Sequence, residues 1–250
     1  MYKNLLVSLL LVLGLMGNAP AADDAILKCD IGMSEEMSQQ LDWPFNLKPD
    51  WILLTKGECY ESDELNTSYA GPHTAVTYTD VAGTGIDVVV DTGRGDALEG
   101  RDQYEGFPTA GPLAIDYYKA NDVGAPPEGD LILTFRNLDA GLYILKSYHN
   151  NPSLGDDIAL IKSIVVGGAV AAAVGDSDVA TTGVLRDDYI GIGVVAFVAT
   201  GTGDVNVTFK ASNLPGYVSE PQLNAFELIP EPATIMLLGL GGLALIRRKR

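Results

Sequence analysis

Imidazole chemistry in this 250-residue chain rests on two side chains, His73 and His149. Any proton transfer near neutral pH that uses a histidine must run through one of them. His73 follows Gly71-Pro72 and reads as a turn residue, whereas His149 stands in the polar stretch Tyr148-His149-Asn150-Asn151 at the end of an apolar run. Such strand ends and the loops beyond them carry binding groups more often than strand middles do. Carboxylates offer other chemistry. Asp91, Asp96, Glu99 and Asp102 gather around Gly93, Gly95 and Gly100, and a hard cation such as calcium wants several oxygens from a loop of this kind. The spacing is not that of an EF-hand, and Arg94 and Arg101 offset part of the charge. A carboxylate pair at the right separation would also suffice for glycoside hydrolysis, so a glycan hydrolase stands as an alternative reading. In a chain with 33 acids some pair meets that distance by chance. Gly-x-Ser-x-Gly, His-Glu-x-x-His and the phosphate-binding Gly-x-x-x-x-Gly-Lys are all absent from the sequence. Gly191-Ile192-Gly193-Val194-Val195-Ala196 meets the loose dinucleotide pattern but runs into a strand-like stretch instead of a helix. The expectation is a protein that is not an enzyme.

Acids outnumber Lys and Arg 33 to 16, for a net charge of −17. Nucleic acid is thereby excluded as a partner, since phosphates call for cationic side chains. A hydrophobic content of 47% excludes a disordered chain. What positions the candidate groups is a series of short β-rich runs broken by Gly, Asp, Asn and Pro: 74–80, 85–91, 112–118, 130–136, 141–149, 158–166, 169–174, 189–200, 204–210 and 223–228. Val205, Val207 and Phe209 alternate with polar residues, which places one face of that strand in a core. Gly167-Gly168 between two apolar runs predicts a two-residue hairpin. The early part of the body differs, with both tryptophans, both cysteines and a predicted short helix over 34–41.

The two ends read as targeting segments. Lys3, the apolar stretch Leu5 to Met16 and Ala19-Pro20-Ala21-Ala22 follow the pattern of a secretory signal peptide over residues 1–22. In an exported protein a Cys29–Cys59 disulfide is the default expectation. At the other end Pro230-Glu231-Pro232 leads into an apolar run, Ile235 to Ile246, and then Arg247-Arg248-Lys249-Arg250. A terminal basic cluster favours the cytoplasmic side, leaving the body outside. Five basic residues and one acid lie in the two ends, so residues 23–229 hold 11 basic and 32 acidic groups, a net of −21.

That order of Pro-Glu-Pro, hydrophobic helix and basic end resembles the PEP-CTERM sorting signal of Gram-negative bacteria. The resemblance covers residues 230–250. It implies that Pro230, Glu231, Pro232, Arg247, Arg248, Lys249 and Arg250 are read by exosortase, a membrane protease. The precursor would be held in the inner membrane by the C-terminal helix, then released to the cell surface or an extracellular polysaccharide matrix. An ordinary membrane anchor holding a ligand-free coat protein is the alternative.

A second resemblance lies in the body. Phe135-Arg136-Asn137-Leu138-Asp139-Ala140-Gly141-Leu142-Tyr143, the following Tyr148-His149-Asn150, Gly100-Arg101-Asp102-Gln103-Tyr104 and the closing Leu223-Asn224-Ala225-Phe226-Glu227-Leu228 resemble segments of galactose-binding-like and malectin-like jelly-roll domains. The expected architecture is therefore an all-β antiparallel sandwich over 23–229, jelly-roll-like. A short N-terminal helix and loop region and a C-terminal hydrophobic helix flank it. The expected role is structural or adhesive, with a carbohydrate contact surface of Arg101, Asp102, Tyr104, Tyr148, His149 and Asn150. Aromatic faces there would stack on sugars and polar tips would fix hydroxyls. Calcium, held by Asp91, Asp96, Glu99 and Asp102, is the one cofactor weighed.

Overall fold

The computed structural model describes residues 25–32, 47, 50–55, 75–92, 97–102, 116–121, 129–150, 158–173, 175–182, 190–211 and 221–231. Fifteen strands run through them in chain order. They are β1 (Leu27–Gly32), β2 (Ile52–Thr55), β3 (Ala75–Tyr78), β4 (Asp87–Thr92), β5 (Ala97–Asp102), β6 (Asp116–Asn121), β7 (Leu131–Arg136), β8 (Ala140–His149), β9 (Ile158–Gly167), β10 (Ala171–Ala172), β11 (Ser177–Thr182), β12 (Gly191–Thr200), β13 (Val205–Ala211), β14 (Gln222–Leu223) and β15 (Ala225–Pro230). Two six-stranded sheets, ordered β10-β12-β8-β15-β1-β2 and β11-β9-β13-β7-β4-β3, make a sandwich, and β14-β6-β5 form a third, smaller sheet. Pairing is antiparallel except between β1 and β2.

The sandwich forms because alternate residues of both large sheets are apolar. Leu27, Cys29 and Ile31 of β1, Tyr143 and Leu145 of β8, Leu131, Leu133 and Phe135 of β7, and Val205, Val207 and Phe209 of β13 all join one buried cluster. Phe135 meets Phe226 edge-on across the two sheets, ring centroids 5.7 Å apart. At about 1.5–3 kcal/mol for each large apolar side chain fully buried, this layer is the main source of stability.

Four strands stand where the sequence did not suggest them. β1 carries a period-2 pattern within the region that differs in composition, and β2 pairs beside it. β5 runs through residues read as part of a metal-binding loop. β11 is polar apart from Val179 and Ala180, and completes the edge beside β9. The Gly167-Gly168 hairpin does not form, because β9 pairs with β11 and β13 while β10 pairs with β12 in the other sheet. The two glycines carry the chain from one sheet to the other. Gly168 has φ +76°, and a Cβ there would fall 2.0 Å from the Asp204 carbonyl oxygen, so the crossing demands glycine. The helix predicted over 34–41, the signal peptide and the C-terminal apolar helix lie outside the described residues. Among those described, no helix is long and apolar enough to cross a membrane.

Candidate functional site

Strand β8 lies between β12 and β15 in the middle of its sheet, and its C-terminal half gathers most of the chemistry that the described residues offer. Side chains alternate across a strand, so Ser147 and His149 point into the sandwich while Lys146 and Tyr148 point to the outer face.

On the inner side His149 is fully buried and Ser147 is 1% exposed. His149 lies edge-on to Phe209, ring centroids 5.1 Å apart. Its Nδ1 is 2.5 Å from the Gln222 carbonyl oxygen and its Nε2 is 2.8 Å from Ser147 Oγ. A carbonyl can only accept, so the imidazole proton belongs on Nδ1 and Nε2 is left to accept from the serine hydroxyl. Ser147 Oγ also lies 3.2 Å from the Gly193 carbonyl. Burial, the larger cause, holds the imidazole neutral and lowers its pKa to about 4, against a smaller upward pull from the Gln222 carbonyl. Serine, imidazole and carbonyl thus stand in the order that activates a nucleophile. A reacting substrate would have no room. A Cβ placed on Gly193 would come within 2.5 Å of Ile164 Cδ1, 3.0 Å of Ser147 Oγ and 3.4 Å of His149 Nε2. What the arrangement does is satisfy polar groups inside a dry core.

Beside it Asn224, in the gap between β14 and β15, ties three elements together. Its N–H donates to the Tyr148 carbonyl, its carbonyl accepts from the Ile31 N–H, and its side-chain oxygen accepts from the Asn150 N–H at 2.6 Å. Its Nδ2 has no hydrogen-bond partner among the described residues. Gln222, Asn150 and Asn224 are all fully buried.

On the outer side Lys146 Nζ lies 3.3 Å from Glu227 Oε1 and 4.9 Å above the Tyr148 ring. The Tyr148 hydroxyl donates to the same Glu227 oxygen, and Trp51 meets the Tyr148 ring edge-on at 5.6 Å. Ile192 and Val194, opposite Tyr148 and Lys146 on β12, are 44% and 38% exposed.

The expected contact surface is therefore rearranged. Tyr148, His149 and Asn150 come together, but inside the molecule: Tyr148 is 6% exposed and the other two are fully buried. An apolar run ending in polar residues looks like a strand reaching water, whereas here the polar residues are enclosed because β14, β15 and β12 close over the strand end. Arg101 and Asp102 occupy β5, opposite Tyr117 and Asp116 of β6, and Tyr104 lies outside the described residues. The four acids weighed for calcium do not share one loop. Asp91 belongs to β4 of a large sheet, Glu99 and Asp102 belong to β5 of the small one, and Asp96 lies outside the described residues. Among the described residues no group of three or more potential metal ligands forms. Cys29 is a free thiol, fully buried on β1, its pKa pushed up by burial and then by the charge of Asp30. Cys59, its expected partner, lies outside the described residues.

The sorting segment begins on a strand. β15 ends at Pro230, opposite Tyr143, and the Glu231 N–H donates to the Leu142 carbonyl at 2.8 Å. The sheet thus reaches beyond the boundary at 229 expected from sequence. Ser147, Asn224, Gln222, Lys146, Glu227 and Trp51 were not singled out by sequence. For Lys146 and Glu227 the missing signal is the pairing of β8 with β15, which brings two groups 81 positions apart into contact.

Compared with known proteins, residues 228–250 match the PEP-CTERM protein-sorting motif. No curated protein and no solved structure matches the chain. The motif supports an exported protein with a membrane-anchored precursor, processed by the membrane protease exosortase and sorted to the cell surface.

Proposed function

We propose that the sandwich is a structural component of the cell surface or its surrounding matrix, delivered there by removal of its C-terminal tail. The observation that carries this reading is the sorting motif at 228–250, joined without a spacer to the last strand of a folded body. A body of net charge −21 between residues 23 and 229 resists self-association at low salt, which suits a soluble cargo released from a membrane. The enclosure of Tyr148, His149 and Asn150 removes half of the surface expected to meet a sugar. Binding to an extracellular polysaccharide, by jelly-roll loops or with calcium, remains a finer proposal that depends on Arg101, Asp102 and Tyr104. The test is intact mass and fractionation of the native protein beside a variant with Pro230, Glu231 and Pro232 replaced by alanines. Loss of the tail near residue 230 in the wild type, with the variant full-length at its C-terminus and membrane-bound, is the expected result. Retention of residues 233–250 in both would reduce the tail to an anchor and remove the main support for release.

A further inference from the structure

Pro230 and Glu231 serve two structures at once. They belong to the sorting motif, and they also lie at the end of β15, an interior strand held by β8 on one side and β1 on the other. Leu228 is fully buried in the core and Ile229 is 8% exposed. The hydrogen bond from the Glu231 N–H to the Leu142 carbonyl fixes which way each residue faces. In an extended strand successive N–H groups point to opposite sides, so the nitrogen of Pro230 points toward the β1 side. Pairing with β1 ends there at Leu27 and Leu228, with the Ile26 N–H donating to the Leu228 carbonyl. Proline therefore forfeits no ladder bond at this position, and the sheet accommodates Pro230.

A peptide that enters a recognition groove in extended form exchanges its own backbone hydrogen bonds for those of the receptor. A segment already zipped into a sheet cannot make that exchange until it opens. We propose that the sandwich gates its own release: Pro230 and Glu231 become available to the membrane protease only when the end of β15 peels from β8. Tail removal then follows the population of that locally open state. The inference rests on the sorting reading above and adds the fold as its control. Tyr143 is the residue of β8 from which this end would part. It lies opposite Pro230, stacks on Phe197 with ring centroids 5.8 Å apart, and donates its hydroxyl to the Asp139 carbonyl at 3.1 Å.

The experiment follows conversion of precursor to processed protein by intact mass in the producing cells, for four forms of the full chain. These are the wild type, the alanine replacement of Pro230, Glu231 and Pro232, an insertion of about eight Gly and Ser residues between Ile229 and Pro230, and Tyr143→Ala. The insertion leaves every residue from 230 onward in order but lifts them off the sheet. Expected results are no conversion for the alanine form and conversion roughly tenfold faster for the insertion. Tyr143→Ala, which leaves the motif untouched, is expected to accelerate conversion in the same direction. It decides the matter if the insertion disturbs folding, which resistance of the body to added protease monitors. A blocked alanine form with the folded insertion and Tyr143→Ala both converting at the wild-type rate would overturn the gate and leave the sorting reading intact. An alanine form that converts like the wild type would overturn both.

Discussion

The two faces of β8 solve the same problem in opposite ways. Inward, Ser147 and His149 form a neutral network with the Gln222 and Gly193 carbonyls. Outward, Lys146 and Tyr148 share the charged Glu227. The inner groups have no contact with water, so a charge there would lose its hydration with no counter-ion to replace it. The Lys146 side chain keeps 35% of its exposure and that of Glu227 16%, so solvent carries part of the cost of an ion pair and in turn weakens it. A step of one residue along a strand is enough to move from one regime to the other. What decides the chemistry of a polar group is thus the face it occupies more than its neighbours in sequence.

The largest break in this comparison is His149→Ala. It deletes a ring packed against Phe209 and leaves the Gln222 carbonyl and the Ser147 hydroxyl without their imidazole partner. The cavity and the stranded polar groups together are expected to cost about 3–4 kcal/mol in denaturant-induced unfolding. Lys146→Ala, on the outer side of the same strand, is expected to cost less than about 1 kcal/mol. Comparable losses for the two would mean that the faces do not differ in the way their burial indicates.

Acid sharpens the contrast next. The folded His149 has a pKa of about 4, below the ordinary 6.5, so between those values the unfolded chain binds a proton that the folded chain refuses. Stability is therefore fully present above pH 6.5 and is lost as pH falls toward 4, by about 3 kcal/mol in total from this group. The hydrogen-bond pattern itself admits the charged form. An imidazolium could donate from both nitrogens, with the Ser147 hydroxyl turning to the Gly193 carbonyl, so the loss comes from dehydration alone. The expected measurement is a fall in unfolding free energy across that window, absent in His149→Phe. A wild type and a phenylalanine variant with parallel pH profiles would remove His149 as the cause.

The sandwich was legible in the sequence where the strands alternate or have two sides of different character. Val205, Val207 and Phe209 announce an inner face, and β13 appears within one residue of its expected span. The weaker pattern over 142–148 has a structural cause, because Leu142, Tyr143 and Tyr148 are buried on both faces of a central strand. β5 and β11 were hidden because their residues mix polar and apolar types with no alternation, and the ladders with β6 and β9 supply what their composition does not. His149 stands out in the sequence as the better placed of the two histidines, but its enclosure depends on Gln222 and Gly193, residues 73 and 44 positions away. Such pairings are set by sheet topology, and no local spacing encodes them. The sorting end was legible for the opposite reason. It is a linear signal, complete within its own residues, although its seat on β15 was not.

Ser147→Ala tests the inner network without touching the imidazole. It leaves Nε2 buried as an acceptor with no hydroxyl to meet it, for an expected loss of about 1–2 kcal/mol. Ser147→Cys, a weaker donor of similar shape, should fall between the wild type and alanine. An alanine variant as stable as the wild type would show that the hydroxyl serves Gly193 and not His149.

The smallest expected effect is on the outer face, and it is the most discriminating. Glu227→Gln keeps an oxygen for the Tyr148 hydroxyl but removes the charge that faces Lys146. The lysine is exposed enough to recover hydration when its partner is neutralised, so the loss should be about 0.5 kcal/mol. It should vanish in about 1 M salt, where charges are screened within roughly 3 Å. A Lys146→Met partner variant completes a double-mutant cycle, in which the coupling energy of the pair should shrink in step with salt. If the coupling instead reached about 2 kcal/mol and ignored salt, the pair would be as dry as the network behind it. The outer face would then be covered by a further part of the chain, and the distinction between the two faces of β8 would lie in polarity alone, without a difference in access to water.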